Sequence, residues 1–239
     1  MLSYADLKDK PKQFLAVTSL THKEFEQMLP QFAEAYEELY PSRLNWKGAP
    51  RQRRAGGGMK SALPEREDKL LFIMMYQKVY ALQEAHGLQF GLSQPQANAW
   101  IQRLLPVLQA ALSKLGLTPE RDGSKLAERE SSAAPPDFQI DGTDRPRQRP
   151  TDSATQDAVY SGKHKTHTDK NVLLINEHTH QIEFLSQTQP GSMHDKKVAD
   201  AANIVYPPNA TLTKDTGFQG YEPIGVITYQ PKKNQKATP

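Results

Sequence analysis

The 239 residues contain no cysteine. That absence removes disulfides, thiolate metal sites and cysteine nucleophiles together, so any chemistry must use oxygen and nitrogen side chains. A metal held by such groups would be a hard cation. Also missing is any run near the roughly 18 uninterrupted apolar residues of a membrane span. The first residues, Met1 to Lys12, are charged and do not form a basic tip followed by an apolar stretch. The expectation is a cytoplasmic protein without a membrane partner. No internal repeat is evident. The net charge of +3 is too small to imply a polyanionic partner on its own, but acids are absent from one stretch. Residues 43 to 60 hold Arg43, Lys47, Arg51, Arg53, Arg54 and Lys60, no Asp or Glu, and the run Gly56-Gly57-Gly58. This reads as a flexible basic loop, with Arg51, Arg53 and Arg54 as candidate phosphate contacts.

The first half has helical periodicity. Thr21 and Glu24 have capping-box spacing, and Phe25, Met28, Leu29, Phe32, Tyr36 and Leu39 then recur on one face. Pro30 predicts a break or kink, leaving a short first piece and a second running through Tyr40. A further helix is expected from Pro64, with Glu65, Glu67 and Asp68 at its positive end and Gly87 as its stop. Ser93 can cap the next, whose buried side is Ala97, Trp100, Ile101, Leu104, Leu105 and Leu108, with a kink at Pro106. Two helices joined by a short glycine-containing turn form a helix-turn-helix candidate at about residues 63–113. Its second helix would present Gln94, Gln96 and Asn98, whose amides can pair with adenine; as plain exposed polar positions they fit a bundle equally well.

Residues 116–137 are rich in Pro, Gly, Ser and charge and read as a linker between a helical domain at 1–115 and a second domain at 138–239. There the period changes. Phe138 to Asp141 is a short strand, Val172–Ile175 and Ile182–Leu185 flank a hairpin turn, Asp195 to Ile204 is helical, and Thr211–Thr213 and Ile224–Tyr229 are strands. The fold class is therefore α+β and multidomain. Asp141 and Asp215 each end a strand and are followed by glycine, at position 142 and position 217. Two readings stand: ordinary turn chemistry, or carboxylates at adjacent strand ends converging on a hard cation such as Mg²⁺. Asp144, Asp152 and Asp157 read as solvated loop residues. His194-Asp195 reads as a helix start capped by Ser192 or Asp195, and the histidines lack metal-ligand spacing. Arg145, Arg147, Arg149, Lys163, Lys165 and Lys170 read as a loop that either meets a phosphate backbone or is simply solvated.

Taken in order, Asp141-Gly-Thr-Asp-Arg-Pro, Gln148-Arg-Pro, Tyr160-Ser-Gly-Lys-His-Lys-Thr-His, Pro190-Gly-Ser-Met-His-Asp-Lys-Lys and Asp215-Thr-Gly-Phe-Gln-Gly-Tyr resemble the DDE transposases of bacterial insertion sequences. Lys69-Leu-Leu-Phe-Ile and Phe90-Gly-Leu-Ser-Gln-Pro-Gln-Ala-Asn-Ala-Trp-Ile resemble that family's leading helix-turn-helix. The resemblance covers most of the chain. It implies an RNase H-like catalytic domain with Asp141 as first and Asp215 as second catalytic and metal-binding carboxylate. The implied metal is a divalent ion, Mg²⁺ with Mn²⁺ as substitute, bound as a pair about 4 Å apart. The implied partners are DNA, namely the element's terminal repeats and target DNA, and further copies of the chain in an active complex at the nucleoid. The family's third carboxylate is a glutamate on a helix beyond a lysine-rich stretch, here Pro231-Lys-Lys-Asn-Gln-Lys, and residue 239 comes before it. Glu183 and Glu222 are poorly placed to replace it. The expectation is an incomplete RNase H-like domain, with these residues inactive alone or acting as a DNA-binding remnant or regulator.

Overall fold

The computed structural model describes residues 1–44, 48–52, 61–128 and 136–231. It divides into two compact units, Met1–Thr118 and Pro119–Pro239. The first is helical and the second is built on a mixed sheet, so the chain is α+β with two units. Arg53, Arg54 and most of the lysine-rich end fall outside the described residues.

In the first unit, α1 (Tyr4–Leu7), α2 (Pro11–Thr18), α3 (His22–Leu39), α4 (Arg66–Val79), α5 (Gln83–Gln89) and α6 (Gln94–Lys114) surround one apolar cluster. Thr21 caps α3 as its spacing predicts: Thr21 Oγ1 accepts from the Glu24 N–H at 3.3 Å, and the Glu24 carboxylate accepts from the Thr21 N–H at 2.7 Å. Helix α3 runs unbroken through Pro30, and α6 likewise continues through Pro106. Both prolines lie on exposed faces. There the helix curves most easily, and a missing N–H can be tolerated. The loss of about 3 kcal/mol is outweighed by burying Phe25, Met28 and Phe32 on α3, at roughly 1.5–3 kcal/mol each.

The helix expected from Pro64 to Gly87 is two helices. It ends at Val79, where Tyr80 turns into the left-handed region (φ 48°), and Gly87 lies inside α5. Gly87 is there because α5 and α6 nearly touch. A Cβ at this position would fall 2.8 Å from Leu92 O and 3.1 Å from Ala97 Cβ. The helix-turn-helix is therefore α5, a turn through Phe90–Leu92, and α6. Phe72, Phe90, Ala97, Ile101 and Leu104 bury beneath it, while Trp100 and Leu105 are only partly covered.

In the second unit, β1 (Asp137–Pro146), α7 (Ser153–Val159), β2 (Tyr160–Ser161), β3 (Thr166–Asn176), β4 (Ile182–Leu185), β5 (Gln189–Pro190), α8 (Asp195–Ala201), β6 (Thr211–Lys214) and β7 (Ile227–Tyr229) follow in order. The sheet order is β2-β3-β1-β6-β7, with β4 and β5 also paired to β3. β1 is antiparallel to β3 and parallel to β6, and β6 is parallel to β7. The β3–β4 hairpin lies where alternation predicts it. Residues 120–128 pack against this sheet: Glu120 exchanges backbone bonds with Glu183 and Leu185, a 3₁₀ turn follows at Gly123–Glu128, and Leu126 enters the core.

β1 does not stop at Asp141 as expected. It runs to Pro146 because β3 continues opposite it, from the pair Asp141↔Leu173 to Pro146↔Thr168. The stretch 145–170 is accordingly strand, helix and hairpin, not an open loop. Alternation places Phe138 and Ile140 of β1, Val172 and Leu174 of β3 and Leu212 of β6 on one buried face, beneath Val198 and Ala199 of α8. Asp141 lies on the opposite, exposed face.

Candidate active site

The parallel β1–β6 ladder ends at Ile140↔Lys214. Asp141 and Asp215 are the next residues on strands about 4.8 Å apart, so topology brings the two acids together from 74 positions apart. Both are exposed. Asp141 Oδ1 accepts from the Gly142 N–H at 2.8 Å, and Asp215 Oδ1 accepts from the Gly217 N–H at 2.9 Å while capping the 3₁₀ turn Thr216–Phe218. The turn chemistry is thus real, and it leaves acceptor positions on each carboxylate unused by these bonds.

Each aspartate stands on a fixed base. Lys214, beside Asp215, is 2% exposed and donates to Tyr221 O and to Glu222. Hydrogen bonds from Lys214 and Thr228 hold the Glu222 carboxyl below its ordinary range. Phe218, fully buried, pins the turn after Asp215 from the other side. Gln230 Nε2 donates to Asp215 O at 2.6 Å.

A third carboxylate stands nearby. Asp195 opens α8, and the Cβ that Gly142 lacks would fall 2.9 Å from Asp195 Cγ. The Cβ that Gly217 lacks would fall 3.0 Å from Asp195 Oδ2 and 3.1 Å from Asp215 Oδ1. The buried Lys170 ammonium lies 2.8 Å from Asp195 Oδ1 and 3.8 Å from Asp144 Oδ2, and donates to Met193 O at 2.9 Å. The expected capping at α8 is absent: His194 is the N-cap without a side-chain bond, and Ser192 Oγ donates to Ala158 O instead. Asp144 is not a solvated loop residue either. It sits on β1, accepts from Thr168 Oγ1 at 2.9 Å, and lies 3.4 Å from His164 Nε2. Asp152 caps α7. Among the described residues, no group of three His, Asp or Glu is assembled tightly enough to form a ready-made metal site.

The basic residues of 145–170 are largely engaged within the sheet. Arg145 donates to Asn171 Oδ1 at 2.7 Å, Arg147 pairs with Asp169 at 2.8 Å, and Arg149 donates to Gln156. Lys163 and Lys165 are exposed.

In the first unit the three amide candidates form a small network. Gln96 Oε1 accepts from the Ser93 N–H at 3.0 Å and its hydroxyl at 3.1 Å, the reverse arm of a capping box. Gln94 donates to Gln83 at 2.7 Å, and Gln83 donates to Asn98 at 3.1 Å, tying α5 to the start of α6. Arg51 Nε donates to Leu44 O. Sequence reading missed Gln83, Lys214 and the placement of Asp195. The glycines after Asp141 and near Asp215 were the available signal for the last.

Residues 140–239 match the family model described as DDE superfamily endonuclease, and residues 61–114 match the model described as helix-turn-helix of DDE superfamily endonuclease. A probable transposase for insertion sequence element IS702 from Microchaete diplosiphon is 26% identical over 170 residues, covering 71% of this chain and 58% of that relative. The alignment thus spans little more than half of the relative's length. No solved structure matches the chain. Among the described residues, no helix is long and apolar enough to cross a membrane.

Proposed function

The chain belongs to the DDE superfamily of endonucleases, and from that premise we propose that it carries the end-binding helices and the first two catalytic carboxylates of an insertion-sequence transposase. The observation that carries this reading is the emergence of Asp141 and Asp215 side by side where the parallel β1–β6 ladder stops. Both are exposed and anchored by one oxygen to backbone N–H groups. Such carboxylates suit Mg²⁺, with Mn²⁺ as substitute, because hard cations take oxygen ligands and keep waters for phosphate. The absence of a Cβ at Gly142 and at Gly217 makes room for neighbouring carboxylates, Asp195 at the first and Asp195 with Asp215 at the second. When bound, a pair of such ions activates a water or 3′ hydroxyl and stabilises the leaving oxygen of an in-line displacement at phosphorus.

The protein's own contribution is orientation. The buried Lys214 and Phe218 fix Asp215, and pairing with Leu173 of β3, together with the β6 pairing of the preceding Ile140, fixes Asp141. The α5–α6 pair brings DNA to the molecule by placing the start of α6 in the major groove, where Gln94, Gln96 and Asn98 are the candidate readers. Lys163, Lys165 and the basic segment around Arg51, Arg53 and Arg54 supply phosphate contacts. Terminal repeats and target DNA are the substrates, and the active assembly holds more than one copy near the nucleoid.

A second reading has these 239 residues bind element ends without cutting. It is favoured by the placement of Asp141 and Asp195 on opposite faces of the sheet, which leaves two carboxylates, not three, at the exposed face. A gel shift at stated salt and an Mg²⁺- or Mn²⁺-dependent cleavage assay on terminal-repeat duplex separate the two. Cutting lost in both Asp141→Ala and Asp215→Ala supports the nuclease reading. Binding without cutting supports the second, and absence of sequence-specific binding overturns both.

A further inference from the structure

We infer that Arg103 clamps a backbone phosphate of the duplex that α6 reads, about two helical turns beyond the base-reading positions. This rests on the reading of α6 as the helix that enters the major groove, and it adds a contact outside the basic segment of residues 43–60.

Helix geometry gives Arg103 its place. Gln96 and Arg103 are seven residues apart on α6, which returns the chain to nearly the same side after about 10 Å of rise. Both are exposed, as are Ala99 and Pro106 along the same stripe, whereas Ala97, Ile101 and Leu104 hold the other side in the core. The major groove is about 12 Å wide. A helix that brings Gln96 to base edges therefore carries Arg103 to the sugar-phosphate strand at the groove's margin.

The guanidinium is prepared for an anion. Its central carbon lies 4.2 Å from the Tyr40 ring centre, 5.3 Å from that of Tyr36 and 5.6 Å from that of Trp100. An arginine over aromatic rings uses the face of its planar group, and the N–H donors, which lie in the plane, stay available for a bidentate anion. Among the described residues Arg103 makes no hydrogen bond and no ion pair. Carboxylates are at hand on α3, but each is committed elsewhere. Glu37 accepts from the Ser42 N–H at 2.7 Å and its hydroxyl at 2.8 Å, and Glu34 and Glu38 pair with Lys114 at 3.0 and 2.7 Å. Arg51, which spends its Nε on Leu44 O, lines an open hollow of about 530 Å³ together with Tyr40, Glu37 and Arg103. Behind the same rings Lys69 lies 5.7 Å from Tyr36 and 5.9 Å from Trp100, adding a further positive charge.

A purely structural Arg103 would explain the stacking, since aromatic rings shelter its stem. It would not explain a guanidinium left without an acceptor beside three glutamates, on the stripe that leads to Gln96.

The test is fluorescence anisotropy of the full 239-residue chain on labelled terminal-repeat duplex and on a scrambled duplex of equal length, across a NaCl series. Circular dichroism follows folding. Arg103→Gln is expected to weaken binding to both duplexes about tenfold and to make the slope of log affinity against log salt shallower by about 0.9. The ratio between the duplexes stays that of the parent. Gln96→Ala gives the opposite pattern, a lower ratio at an unchanged slope. Arg103→Lys keeps the charge and loses the fork; it is expected to hold the parent slope while binding both duplexes several-fold more weakly. Parent-like slope and affinity in folded Arg103→Gln overturn the inference and leave Arg103 as a packing residue over Tyr40. Should Arg103→Gln not fold, parent-like affinity in Arg103→Lys overturns it instead. If the parent shows no preference for the terminal repeat and Gln96→Ala changes nothing, the reading of α6 falls and this inference with it. If Gln96→Ala lowers a clear preference while Arg103→Gln stays parent-like, only this inference falls.

Discussion

Replacing Gly87 by alanine sets two effects of opposite sign against each other. Within a helix, glycine to alanine gains about 1 kcal/mol because alanine loses less backbone freedom. At Gly87 the new methyl would sit 2.8 Å from Leu92 O and 3.1 Å from Ala97 Cβ. Neither neighbour is the flexible tip of a long side chain; one is backbone in the α5–α6 turn, the other a buried Cβ on α6. Relieving the overlap means moving α5 away from α6, and overpacking of this kind costs about 1–3 kcal/mol, with further loss as Phe90 and Ile101 shift. The net expectation is destabilisation by about 1–2 kcal/mol, or a fall in thermal midpoint of roughly 4–8 °C for a domain of this size. Urea and thermal unfolding followed at 222 nm read this out. A gel shift should show weaker sequence-specific binding, because the angle between α5 and α6 sets how the second helix meets DNA. A midpoint equal to or above that of the parent would refute the reasoning and restore Gly87 as a replaceable helix stop.

Two further outcomes follow from the first unit. His86 is fully buried among Phe72, Tyr76 and Phe90, with Nε2 3.2 Å from Phe72 O, and burial holds its pKa below the ordinary 6.5. The unfolded chain then binds a proton below pH 6.5 that the folded chain refuses. Stability should be full above that pH and fall by up to about 1.4 kcal/mol per unit as pH drops toward the lowered folded value; His86→Phe should flatten the slope in urea titrations, and an unchanged slope would contradict the assignment. Gln96→Ala removes the acceptor used by the Ser93 N–H, costing about 0.5–1 kcal/mol, and should weaken specific DNA binding more than nonspecific binding. Equal loss of both retires Gln96 as a base reader.

Features governed by neighbours in sequence were legible from sequence. The Thr21–Glu24 box, the helix start at Ser93, the β3–β4 hairpin and the strand before Asp215 depend on spacings of two to four residues, and each formed. Pro30 and Gly87 carry local helix-breaking signals that tertiary packing overrides: α3 runs unbroken past the exposed Pro30, and the glycine serves a helix contact. β1 was read too short because Asp141-Gly-Thr-Asp-Arg-Pro is polar on both faces. It stays extended through pairing with β3, which hydrophobic alternation does not report. Asp144 and Asp195 illustrate the same limit at the site. Their roles depend on the buried Lys170, 26 positions after one and 25 before the other, a relation that no local pattern contains.

The central claim is that Asp141 and Asp215 hold a divalent cation between them. Fe²⁺ substituted for Mg²⁺ in the presence of ascorbate and peroxide generates hydroxyl radicals at the bound ion, which cut the polypeptide backbone within a few ångströms, and mass spectrometry maps the cuts. The account predicts cuts clustered beside residues 141–142 and 215–217, competed by Mg²⁺ and lost in Asp141→Asn and Asp215→Asn. Cuts elsewhere, or cuts at these positions that survive both substitutions, would contradict it.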